Sequence, residues 1–128
     1  LQHAQRLLRP GSRLLVLADP VSLPAVPAAL WPALAQHHEL VVLLLTDPLE
    51  RRPPEARLPF QLAQAGRIEL ALDTAGVRQR WRAAFETPIE TALAQLQRQG
   101  ARVMALSTDD PSDAWLPLLA RTPARRAR

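Results

Sequence analysis

Three short, unbroken apolar runs, each closed by an acidic residue before a proline, place the strongest limit on what this chain can fold into. They are RLLVLA (13–18) before Asp19-Pro20, ELVVLLLT (39–46) before Asp47-Pro48, and RVMALS (102–107) before Thr108-Asp109-Asp110-Pro111. A strand with one wet face alternates apolar and polar residues, so a run that is apolar throughout reads as a strand covered on both faces. Between the runs the apolar period changes to that of a helix. Val26, Leu30, Trp31 and Leu34 follow a Ser22 N-cap, with Pro32 predicting a kink or a late start. Val77, Trp81, Ala84, Phe85, Ile89, Ala92, Leu93 and Leu96 mark a long helix from Gly76 to Gln99, bent at Pro88 and ended by a left-handed Gly100. A last helix is expected to carry Trp115, Leu118 and Leu119.

Strands alternating with amphipathic helices require parallel pairing through right-handed crossovers. The predicted fold is therefore α/β, a three-layer, doubly wound parallel sheet. Two further runs, Leu58–Ala63 and Arg67–Leu72, flank Gln64-Ala65-Gly66 and read as an added β-hairpin, because Ile68, Leu70 and Leu72 alternate with Glu69 and Ala71. The opening LQHAQRLLRP has a short amphipathic helical pattern, and the charged, proline-rich stretch Leu49–Glu55 reads as a surface loop.

Charge and composition narrow the function classes. All 16 basic residues are Arg, and four of them (Arg121, Arg125, Arg126 and Arg128) lie in the last eight positions, so the formal charge of +4 belongs to the tail 121–128 and the body 1–120 is neutral. A basic tail without aromatic residues reads as a solvated terminus, and nucleic acid is not an expected partner. The absence of cysteine excludes disulfides and thiolate metal sites. The longest apolar stretch, Leu40–Leu45, is far below the ~20 residues of a membrane span, so no membrane contact by this segment is expected. No export signal is visible, which suggests a cytoplasmic chain or the cytoplasmic part of a membrane-anchored protein. The chain opens without Met and reads as a piece of something longer.

Candidate chemistry gathers where parallel strands end, since their carboxyl ends and the following helix starts share one edge. Asp19, Asp47, Asp109 and Asp110 belong to that edge, with hydroxyls at Thr46, Ser107 and Thr108. Such hard oxygen ligands suit Mg²⁺ or another divalent cation. The competing reading is local, because Asp before Pro opens turns and caps helix N–H groups. Asp19 is the metal candidate singled out here. His37 and His38 are adjacent and cannot share a helix face as a metal pair, and His3 stands alone. Trp31, Trp81, Phe85 and Trp115 fall on apolar helical faces and are assigned to the core. With four glycines in the chain, no GxGxxG turn, phosphate loop or GxSxG elbow can be written, and no catalytic residue is assigned.

RPGSRLLVLADP, HHELVVLLLTDPLE, a hairpin ending in LDT, then VRQRW and ALSTDDP together resemble the C-terminal half of the bacterial "domain of unknown function 58" family, whose members carry a divergent von Willebrand factor A-like domain. The resemblance implies a partial, Rossmann-type domain over 1–120. It implies a protein-interaction module acting with a MoxR-type AAA+ ATPase in assembling or maturing protein complexes. It also matches the first apolar run to the fourth strand of such domains, and Asp19 to the Asp of their metal site. The Asp-x-Ser-x-Ser loop of that site would lie upstream of Leu1, and Pro20 stands where a Gly is common, so no tightly bound metal is expected here. A first run lacking its usual neighbour strand would have an open apolar edge, and the isolated chain is expected to self-associate. The alternative function is a Mg²⁺-dependent phosphoryl-transfer or phosphatase-like enzyme using the strand-end aspartates.

Overall fold

The computed structural model describes residues 1–62 and 66–120, and residues 63–65 and the basic tail 121–128 lie outside the described residues. The three apolar runs form β1 (Arg13–Ala18), β2 (Glu39–Thr46) and β5 (Arg102–Ser107), with the boundaries expected from sequence. They make one parallel sheet in the order β1-β2-β5. Leu14 pairs with Leu40 and Val16 with Val42, while Val42 pairs with Val103 and Leu44 with Ala105. β3 (Arg57–Leu62) and β4 (Gly66–Ala71) form the antiparallel hairpin, one residue earlier than the sequence pattern placed it.

Both connections between sheet strands cover the same face. The chain opens with α1 (Gln2–Leu7); a 3-10 turn (Pro20–Ala25) and helix α2 (Leu30–His37) link β1 to β2, and the long helix α4 (Ala75–Arg98) precedes β5. Leu23, Trp31, Leu34, Ala92 and Leu96 from these elements pack with Leu40, Val42, Leu44 and Val103 in a single cluster. This follows from topology. When strands are added in one direction, right-handed crossovers place successive helices on one side, and a second helical layer arises only where the direction reverses. The α/β class and the parallel sheet are thus as expected, but the described residues show one helical layer in place of the expected two. On the other face Leu15, Leu17 and Leu45 stay exposed, although Val41 and Leu43 in the central strand are buried.

Other differences are local. The expected Ser22 cap belongs to Asp19, whose carboxylate accepts from Val21 N–H at 3.0 Å, while the Ser22 hydroxyl donates to Asp19 O. Four prolines between positions 20 and 32 keep the segment from becoming one helix, and α2 begins only at Leu30. Pro48–Arg51 (α3) is a one-turn helix within the expected loop, and the expected last helix shortens to a 3-10 turn at Leu116–Leu119, packed on β5. The sequence pair Asp73-Thr74 has the form of a helix cap, but Thr74 starts α4 without a side-chain cap and Asp73 pairs with Arg57 of the hairpin at 3.1 Å. Gly100 has φ +89°, and a Cβ there would lie 3.3 Å from Ala35 Cβ, so it both turns the chain and lets α2 approach. Trp31 is buried in the core, whereas Trp81 stacks between Phe60 and Phe85 at centroid distances of 5.2 and 4.7 Å, holding the hairpin on α4. Trp115 is half-buried, its indole N–H donating to Ser112 O.

At the amino ends of the strands Glu39 bridges all three, accepting from Arg13 Nε at 2.8 Å and Arg102 Nη1 at 2.9 Å. The Arg13 hydrogen bond above all, with the Arg13 charge and Arg102 beside it, holds the Glu39 carboxyl below its ordinary value against the opposing effect of burial. A carboxyl depressed by folding stabilises the fold above its unfolded pKa, and the contribution disappears as pH falls through the folded value. Thermal melts from pH 7 down to about pH 3 should therefore show a larger fall in Tm for the wild type than for Glu39→Gln. Parallel curves would remove Glu39 from the acid response.

Candidate functional site

The carboxyl ends of β2 and β5 are joined by hydrogen bonds that fix their loops. Thr46 O accepts from Thr108 N–H at 3.0 Å, and the buried Thr46 hydroxyl makes a long bond, 3.4 Å, to Leu106 O. Pro48 confines Asp47 to extended backbone (φ −100°, ψ 142°), the conformation an N-cap requires. Asp47 then accepts from Leu49 N–H at 2.8 Å, and Glu50 accepts from Asp47 N–H at 3.1 Å, closing a capping box. After β5, Asp110 accepts from Ser107 N–H at 2.8 Å while its own N–H donates to Ser107 O, forming a tight turn before Pro111.

Asp109 is the strand-end acid that reaches across. Its Oδ2 accepts from Arg52 Nη2 at 2.6 Å, tying the loop after β5 to the end of α3. The nearby Ser107 hydroxyl and the Arg52 charge hold the Asp109 carboxyl below its ordinary value, with burial acting the other way. Ser107 Oγ itself is buried and makes no well-formed hydrogen bond. Around this pair lies a crevice of about 310 Å³, lined by Arg51, Arg52, Glu86, Ser107, Asp109 and Asp110 beside Pro48.

Of the residues marked in the sequence, the structure gathers Thr46, Asp47, Ser107, Thr108, Asp109 and Asp110 at the β2–β5 end. Asp19 does not line this crevice, and its carboxylate caps the turn after β1. No group of three or more His, Cys, Asp or Glu is placed to hold a metal ion among the described residues. The sequence reading missed Arg51, Arg52 and Glu86. The first two fell within the stretch read as a surface loop, yet two arginines directly after a capped strand end were a usable signal.

A second, larger cavity of about 580 Å³ opens between the proline-rich turn and α4, with Leu23, Trp31, Ala92 and Leu96 on its walls. Its walls are mainly apolar, and its polar groups include Thr87, Thr91 and Gln95 along α4. Comparison with family models, with curated proteins and with solved structures gives no match to this chain. Its geometry therefore carries the functional argument. No helix among the described residues is long and apolar enough to cross a membrane.

Proposed function

We propose that this chain is a protein-interaction module that presents the strand-end edge of its parallel sheet to a partner. The observation carrying this reading is how the edge spends its acids. Asp19, Asp47 and Asp110 each accept from a backbone N–H, and Asp109 is paired with Arg52. Acids used in this way build a rigid polar rim, whereas acid–base catalysis needs a carboxyl within reach of a reacting proton. The finer proposal is a von Willebrand A-like module working with a MoxR-type AAA+ ATPase, motivated by the HHELVVLLLTDPLE and ALSTDDP segments at that edge. On that proposal Asp19 would contribute to a Mg²⁺ site only together with residues supplied from elsewhere.

The test is retention of such an ATPase on the immobilised chain, compared with the Glu86→Arg, Asp109→Arg double variant, which reverses two charges of the crevice rim. Binding that the charge reversal reduces at least tenfold supports the edge as the interface. Equal retention of both chains would place the interface elsewhere.

A further inference from the structure

We propose that the crevice between the ends of β2 and β5 receives a guanidinium group, and that Arg52 occupies this place from within the chain until a ligand displaces it. The proposal rests on reading the strand-end edge as the binding edge. Its first support is Ser107, 6% exposed, whose hydroxyl oxygen is buried, unpartnered and on the crevice wall. A buried hydroxyl without a partner is costly, and a guanidinium seated deeper than that of Arg52, which reaches only Asp109, would donate to it. The second is charge. Glu86, Asp109 and Asp110 outnumber Arg51 and Arg52, so with Arg52 swung away the walls carry a clear negative excess.

Geometry then selects the kind of cation. A divalent ion needs its oxygen ligands converging at about 2.0–2.6 Å on one point, and these acids do not form such a group. A guanidinium is planar, spreads five N–H donors over a fork, and binds separated carboxylates well. Arg52 shows that Asp109 accepts this group, at 2.6 Å. The internal occupant is weakly held, since the Arg52 side chain is 75% exposed and exposed ion pairs add little stability.

The opposing roles of Arg52 and Asp109 give the test. Amide shifts of the intact chain are followed by NMR during titration with N-acetyl-arginine amide, with the citrulline analogue as the neutral control at constant ionic strength. Saturable shifts at Ser107, Asp109 and Asp110 are expected with the arginine compound alone. Asp109→Asn should weaken binding about tenfold, because a charge-assisted pair is lost. Arg52→Ala should tighten it by about two- to fivefold, the range that removal of an exposed competing pair allows. Tighter binding of an arginine-containing peptide than of the free amide would identify a protein side chain as the source, and equal binding a small ligand. Shifts shared with citrulline, indifference to Asp109→Asn, or weaker binding by Arg52→Ala would each overturn the proposal. A partner that binds this edge but ignores the arginine amide would sink this inference and leave the interaction reading standing. Arginine binding without a retained partner would do the reverse.

Discussion

Leu44→Asp should leave the chain unfolded at room temperature. Leu44 is fully buried in the central strand, paired with Ala18 on one side and Ala105 on the other, and belongs to the cluster that joins the sheet to α2 and α4. A carboxylate there would lose its hydration with no cation to receive it, a penalty of several kcal/mol even after relaxation. Domains of this size are stable by about 5–15 kcal/mol in total, and the lost leucine packing alone removes about 2–5 kcal/mol. Far-UV circular dichroism and urea titration check the result. Leu44→Ala, which deletes the packing without adding charge, should remain folded with a lower urea midpoint. A cooperative, wild-type-like transition in the Asp variant would show that this cluster does not hold the fold together.

The wild-type chain should self-associate, and Leu15→Lys with Leu17→Lys should return it to the monomer. Among the described residues β1 pairs only with β2, so its outer edge offers free backbone groups. The strand's uncovered face adds Leu15 and Leu17, 39% and 61% exposed, and its one charge, Arg13, is engaged by Glu39. Natural edge strands usually carry charge, proline or a bulge to discourage pairing, and β1 beyond Arg13 has none of these. Two copies related by a twofold axis would join β1 to β1 in one continuous sheet. Sedimentation should show mass rising with concentration in the wild type and a constant monomer mass in the double variant. Both positions face solvent, so the circular dichroism of the variant should be unchanged. A wild-type monomer at every concentration would defeat the expectation.

The sheet was legible because its signals are local. RLLVLA, ELVVLLLT and RVMALS are bounded by turn residues and too short for helices, and all three became strands at the expected positions. The hairpin slid by one residue because Gly66, read as part of the turn, opens β4. The helix after β1 was overread because Val26, Leu30, Trp31 and Leu34 keep helical spacing although Pro24 and Pro27 interrupt it. The fate of individual aspartates was harder to read, since capping and ligation use the same Asp-Pro sequence. The Arg52–Asp109 pair joins residues 57 positions apart, and nothing in the sequence marks two such side chains as neighbours.

The strand order also fixes a sequence of events in time. Joining β1 to β2 closes the 26 positions between Arg13 and Glu39, whereas joining β2 to β5 closes the 63 between Glu39 and Arg102. Loop-closure entropy rises with the logarithm of length, so the second pairing costs about 0.8 kcal/mol more than the first before any contact compensates. β5 is thus expected to dock last. Docking brings Ser107, Asp109 and Asp110 against α3 and α4, so the crevice is the final feature to assemble. The same ordering makes it an early loss when the native state opens locally, and amide exchange at residues 103–107 should outpace exchange at the centre of β2.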